Sequence, residues 1–176
     1  MSSYVIGTLG AGEVARSVDG LADVLVDCVE GGASVNFMWP FAREKAIAFW
    51  EGVAANAARG EAILLAARDA EGICGTVHLS TAVPENQPYR ADVTKMLVHR
   101  RARRRGIGEA LLREVEAAAA RAGRRLLVLD TVTGSDAERL YLRGGWNVCG
   151  VIPDYALFPD GRPCSTTVFW KKVATS

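Results

Sequence analysis

The period of apolar positions changes several times along the chain, and each change marks an element. Residues 4–9 alternate as a strand does and stop at Gly10 and Gly12. Val18, Leu21, Ala22, Leu25, Val26 and Val29 then recur at helical spacing, one apolar face halted by Gly31 and Gly32. Past the irregular segment GGASVNFMWP, the spacing of Ile47, Trp50, Val53, Ala54 and Ala57 predicts a second helix, with Pro40 suited to its start and Gly60 ending it. Two strand-like runs, 62–67 and 73–80, flank Asp69-Ala70-Glu71-Gly72, which suits an antiparallel hairpin. A loop with Pro84 and Pro88 leads to a third long strand over 90–98. From Ile107, the apolar positions Leu111, Val115, Ala118, Ala119 and Ala122 keep helical spacing up to Gly123. Residues 126–130 are nearly all apolar, the pattern of a strand covered on both faces. A strand, helix, strand unit of this length is a right-handed crossover, so this strand runs parallel to the one before the helix. A helix over 136–143 and strands near 148–152 and 166–171, turned by Pro159-Asp160-Gly161, complete the pattern.

This order predicts an α/β chain, α+β in arrangement, with helices on both faces of a mixed, mostly antiparallel sheet of six to seven strands. With 176 residues, 49% of them apolar, one good core can form, and a single domain over 1–176 is expected. The net charge of +1 creates no global field toward nucleic acid or an anionic membrane. No apolar run approaches the roughly 20 residues that cross a bilayer, and the first thirty residues lack a basic stretch leading into an apolar one. A soluble, cytoplasmic protein is expected. Cys28, Cys74, Cys149 and Cys164 stand far apart without a C-x-x-C pair, which disfavours a zinc site and a disulfide framework. We expect free thiols, mostly buried, and no metal.

One stretch stands out against the near-neutral charge: five arginines within residues 100–105, in HRRARRRGIGEALLREVE. It lies where a strand passes into a helix, whose first backbone N–H groups have no partner inside the helix. Gly106 and Gly108 let the backbone approach a ligand, and Arg103 precedes Gly106 by three, so R-x-x-G-x-G here can wrap a pyrophosphate. The dinucleotide fingerprint needs a third glycine that is absent, and a P-loop needs a G-K-S/T that is absent. Arg100, Arg101 and Arg104 taken singly read equally well as solvated loop residues.

With Arg103, Gly106 and Gly108 in the first motif, and Ala137, Leu140, Tyr141, Gly145 and Trp146 in a second, the chain resembles the GCN5-related N-acetyltransferases (GNAT family) over nearly its whole length. The resemblance implies a sheet splayed between the fourth and fifth strands, with acetyl-CoA as co-substrate. Arg103, Arg104, Arg105 and the turn of Gly106, Ile107, Gly108 and Glu109 would hold its pyrophosphate. Met96, Leu97 and Val98 would offer backbone groups to the pantetheine and the acetyl carbonyl. Tyr141 would protonate the departing thiolate. Family members often carry asparagine seven residues before the tyrosine; Gly134 stands there, and Ser135 is the substitute. Within the family, GGASVNFM, LDT with its following GS, and PDGR are similar to segments of the tabtoxin resistance branch, which implies a small, amino-acid-like amine as acceptor.

The group that takes the amine proton stays open among Asp130, Asp92 and His78. Asp130 points opposite to Leu129 by alternation and serves equally well as base, as cap of the following helix or as an organiser of the turn at Gly134. Phe37 and Trp39, with Asp154 and Tyr155, are expected to line the acceptor pocket. Alternatives are a protein or peptide amine as acceptor, or another acyl donor, including aminoacyl-tRNA held by Arg100, Arg101 and Arg104. A non-enzymatic ligand or nucleic-acid module is disfavoured, because aromatics do not interleave with the basic residues. Either a monomer or a homodimer fits the chain.

Overall fold

In a computed structural model, which describes residues 3–174, the elements follow the expected order with two additions. β1 (Val5–Leu9) leads into a short helix α1 (Ala11–Arg16), then α2 (Val18–Glu30) and α3 (Arg43–Ala58). A hairpin of β2 (Ala62–Asp69) and β3 (Gly72–Ser80) precedes β4 (Arg90–Val98). A single 3-10 turn (Arg100–Ala102), α4 (Ile107–Arg121), β5 (Leu126–Val132), α5 (Asp136–Arg143), β6 (Asn147–Leu157) and β7 (Pro163–Lys172) complete the chain.

Two local departures have simple causes. Residues 10–12, read as the end of the first strand, instead open α1: the Gly10 N–H donates to the Glu13 carboxylate at 2.9 Å, which replaces the missing cap side chain. Pro40 lies outside the second long helix, which begins at Arg43.

The seven strands form one sheet in the order β1-β2-β3-β4-β5-β7-β6, and only β4 and β5 are parallel. Alternating side chains divide the core in two. Leu79, Val93, Leu127 and Leu129 pack with Ile107, Leu111 and Val115 of α4 and with Tyr141, Trp146 and Phe169. On the other face, Leu64, Ala66 and Leu97 pack with Val14, Leu21, Leu25 and Trp50 of α1 to α3. Fully burying side chains of this size contributes about 1.5–3 kcal/mol each, so both faces of the sheet are firmly clamped and the strand edges between them are held in place.

The sheet has one gap. β4 and β5 pair only at Arg90↔Leu126, Ala91↔Leu127 and Asp92↔Val128, after which they diverge. The cause is visible on the other edge of β4, where the register with β3 shifts by one between Thr76/His78. The extra residue puts Lys95 at φ 51°, and the Thr76 hydroxyl donates to the Lys95 carbonyl at 3.0 Å, fixing the bulge.

Candidate active site

The end of β4 delivers the chain to α4 through Gly106, the helix N-cap, at φ 77°, where a side chain would be strained. No side chain caps this helix, so the first-turn amides of Ile107, Gly108 and Glu109 are left for an anion, at the positive end of the helix dipole. Gly108 has a different task. A Cβ there would lie 3.3 Å from Leu140 Cδ2, so its bare backbone lets α5 close against the first turn of α4. Glu109 turns away, to Arg113 at 2.6 Å.

The arginine run divides into staples and free heads. Arg100 binds Asp27 through its backbone N–H (2.8 Å) and its guanidinium, and Arg101 meets both Asp69 oxygens at 2.9 Å. Both readings of these two as solvated loop residues are corrected by these pairs. Arg105, expected at the phosphates, ion-pairs the same Asp69 at 2.8 Å. Bonds from Arg105 and Arg101 hold the Asp69 carboxyl down at about 2, although its own burial opposes this. Arg103 donates from Nε to the Val98 carbonyl at 3.2 Å, and Arg104 stands at φ 59°. Asp136, at the start of α5, has its pKa lowered mainly by Arg139 and further by the charges of Arg104 and Arg103, while the Arg103 guanidinium itself lies near Cys28 and Gly31 at the end of α2.

Ser135 is the N-cap of α5: its hydroxyl accepts from the Glu138 N–H at 3.1 Å, while Glu138 accepts from the Gly134 N–H at 2.6 Å. That cap leaves Asp130 free of both structural tasks that its position suggested. β5 runs on to Val132, and Asp130 accepts instead from the Thr166 hydroxyl of β7 at 3.0 Å. Asp92 lies at the closed end of the gap, opposite Val128, and is ion-paired to Arg90. Asp130, two positions beyond the last paired residue of β5, lies where the strands have parted.

Tyr141 projects from α5 into the first core, 4% exposed, its ring 5.9 Å from that of Trp146 and 5.8 Å from that of Phe169. Burial, and secondarily the charge of Asp130, push its phenol well above the ordinary tyrosine range. It is therefore a neutral proton donor at ordinary pH, and the charge of Asp130 on β5 acts on it. Met96 packs against the first core and Leu97 against the second, while the edge of β4 facing β5 beyond Asp92 has no strand partner among the described residues. His78 is 8% exposed and pairs Nδ1 with Thr94 Oγ1 at 2.9 Å. Burial first, then the charge of Lys95, lower its pKa to about 4, so it is neutral.

The chain as a whole is similar to known proteins. Residues 59–148, just over half of the chain, match the Acetyltransferase (GNAT) domain. The chain belongs to the GNAT family. It is accordingly an N-acetyltransferase. The same fold is found in a protein of Acinetobacter baylyi classed as an acetyltransferase (TM-score 0.81, 16% identity, 99% of this chain and 94% of the other). It is found too in yncA of Salmonella typhimurium, classed as an acetyltransferase and solved with its cofactor acetyl-CoA (TM-score 0.80, 17% identity, 99% and 96%). A protein classed as a phosphinothricin N-acetyltransferase is similar as well (TM-score 0.79, 16% identity, 98% and 99%).

In this GNAT chain the segment before α3 reaches the far end of the sheet. The Ser34 hydroxyl donates to the Leu157 carbonyl at 2.7 Å and the Trp39 N–H to the Pro159 carbonyl at 3.0 Å. Phe37 stands beside Lys95 of the β4 bulge, with Phe41 and Phe49 at 4.5 and 5.7 Å between ring centroids. Trp39 is half exposed and anchored through Nε1 to the Val29 carbonyl at 2.9 Å, a fastening for the segment. Asp154 and Tyr155 stand exposed on the β6–β7 hairpin, Asp154 at φ 49° in an irregular stretch, without a ring or hydrogen-bond contact to Phe37. Sequence reasoning missed two members of this face, Thr166 and Lys95. The signal for Lys95 was a lysine in the middle of the apolar run VTKMLV.

A cavity of about 620 Å³ lies elsewhere, between α2 and the β2–β3 turn, lined by Asp23, Asp27, Arg43 and Arg101. Its charged groups pair with one another or with nearby carboxylates, and none of the splayed-strand residues reaches it. Among the described residues no cluster of His, Cys, Asp or Glu suits a metal ion, and no helix is long and apolar enough to cross a membrane. The four cysteines are free thiols, all buried except Cys149.

Proposed function

We propose that this GNAT enzyme transfers the acetyl group of acetyl-CoA to the amine of a small, amino-acid-like acceptor such as a toxin or antibiotic, in the cytoplasm. The observation that carries the reading is the gap between β4 and β5, with an uncapped helix start after β4 and, on the parted stretch of β5, Asp130, whose charge acts on Tyr141. Acetyl-CoA supplies an acyl group already activated as a thioester. The amides of Ile107, Gly108 and Glu109, with Arg103 and Arg104, bind its pyrophosphate. The open edge of β4 at Met96, Leu97 and Val98 aligns the pantetheine, and a backbone N–H there polarises the acetyl carbonyl. Asp130, steadied by Thr166, holds the acceptor ammonium and takes its proton, directly or through water. The amine nitrogen then bonds to the carbonyl carbon, the carbon–sulfur bond breaks as Tyr141 gives its proton to the sulfur, and the second proton lost by the nitrogen passes through water to restore the Tyr141 phenol.

Small acceptors are favoured by the cluster of Phe37, Phe41 and Phe49 beside the β4 bulge and by the docked 33–42 segment. The likeness to the tabtoxin resistance branch and the fold shared with a protein classed as a phosphinothricin N-acetyltransferase support the same class. A tRNA-linked donor is disfavoured, since Arg100 and Arg101 are already neutralised by Asp27 and Asp69. The test is thiol release from acetyl-CoA with small amines, including phosphinothricin and free amino acids, set against peptides with free N-termini. A small amine should be preferred by at least about tenfold in kcat/KM. A peptide as the better acceptor, or tight tRNA binding at physiological salt, would overturn the proposal.

A further inference from the structure

Lys95 is a charged side chain beside the gap that the proposed reaction does not use. The β4 bulge, with φ 51° at Lys95, sends its ammonium to the rings of Phe49 and Phe37, 5.2 and 5.8 Å from their centroids. Among the described residues Nζ has no hydrogen-bond acceptor and no carboxylate within ion-pair distance. Burial pulls its pKa down, and Asp130, across the gap, pulls it back up. Close by, one buried polar atom is left unsatisfied. His78, opposite Thr94 in the β3–β4 register, has Nε2 buried without a partner.

An ammonium with three donors, two aromatic faces and no anion is half of an ion pair. As mere filling it is a poor choice, because methionine would occupy the same space without desolvating a charge. Its surroundings also have a direction. Asp130, fixed by the Thr166 hydroxyl, offers negative charge from β5, and Lys95 offers positive charge from β4 on the same face. That is the charge pattern complementary to a zwitterion.

We infer that Lys95 is an anion-recognising subsite of the acceptor pocket, selecting acceptors that carry a carboxylate close to the amine to be acetylated. The inference rests on the small-amine reading proposed above. In it, Asp130 receives the ammonium end and Lys95 the carboxylate, which completes the ammonium's hydrogen bonds in a site partly closed to water. The rings of Phe37 and Phe49 hold the lysine in place while the site is empty. Lys95 is a specificity-determining residue, and the bond-making steps pass through Asp130 and Tyr141.

The experiment pairs free L-α-amino acids with their own methyl esters, which keep the amine and lose the negative charge. Acetyl transfer is followed for the wild type, Lys95→Met and Lys95→Arg, with acetyl-CoA binding and thermal unfolding recorded for each. The wild type should prefer at least one free acid over its ester by about ten- to hundred-fold, the preference lying in KM. Lys95→Met should erase that ratio and Lys95→Arg should restore most of it, with acetyl-CoA affinity the same in all three. Esters used as well as the acids, a preference that survives in Lys95→Met, or acetyl transfer to Lys95 itself as the main product would overturn the inference. Failure of the underlying function reads differently: neither acids nor esters nor simple amines would release thiol from acetyl-CoA, and both conclusions would fall together.

Discussion

Replacing Tyr141 by phenylalanine removes one oxygen and leaves the ring where Trp146 and Phe169 hold it. The hydroxyl has no hydrogen-bond partner among the described residues, so its loss strands no buried group, and stability should change by less than about 1 kcal/mol. Turnover should change far more. Because burial and Asp130 hold the phenol protonated, it donates in full throughout the working range. Losing a positioned acid should lower kcat by about 10²–10³, which is about 3–4 kcal/mol of barrier. The sign of the pH dependence follows from the same shift. A phenol raised above its ordinary pKa loses its proton only at strong alkali, so the wild type should show no alkaline fall in kcat attributable to Tyr141 below about pH 10. Thiol release measured across pH, with calorimetric titration of acetyl-CoA, separates turnover from binding. A Tyr141→Phe enzyme with wild-type kcat at every pH would show that water or another group protonates the sulfur, and the assigned role would be withdrawn.

Asp130→Asn should lower kcat/KM for the acceptor by about a hundred-fold and leave acetyl-CoA binding unchanged; it should also lower the pKa of both Lys95 and Tyr141, which Asp130 now raises, as NMR titration of those side chains can read. Asp69, whose pKa falls to about 2 when folded, stabilises the native state fully above the ordinary carboxylate pKa of about 4 and loses that contribution as the pH falls from there through 2. Thermal unfolding of Asp69→Asn should therefore lie below the wild type at neutral pH and converge with it in acid; parallel curves would refute the pairing with Arg101 and Arg105. Arg103→Ala and Arg104→Ala should each weaken acetyl-CoA by about tenfold, whereas Arg100→Ala should act on unfolding temperature, through Asp27, and not on acetyl-CoA affinity.

Much of this was legible because periodicity carries it. The apolar stripes of α2 and α4 follow directly from spacing, and the parallel crossover follows from the order of elements; the two-sided burial expected of β5 does not hold, since only Leu127 and Leu129 are buried and Val128 between them is half-buried. Other parts leave no periodic trace. α1 is only six residues long and its start falls within the run GAG, so it looks like a turn. β6 is exposed at nearly every position, so it has no inward face to mark its true length. The bulge at Lys95 is a property of backbone register, visible only when β3 and β4 are laid together. The arginines illustrate the same limit: composition marked the run as important, but Arg100 meets an aspartate 73 residues away, a pairing that only the fold creates. The spacing marks Gly106 and Gly108 alike, yet Gly108 makes room for Leu140, which the spacing alone does not reveal.

The central claim is that a splayed sheet presents the helix start at Gly106 to a pyrophosphate while the gap receives a thioester. The most direct test uses the unmodified protein and compares calorimetric titrations with acetyl-CoA and with S-acetylpantetheine, which has the same thioester and arm but no pyrophosphate. Acetyl-CoA should bind, and S-acetylpantetheine should bind at least about a hundred-fold more weakly, since it cannot engage the α4 amides or Arg103 and Arg104. Equal affinity for the two, or no binding of acetyl-CoA, would contradict the account at its foundation.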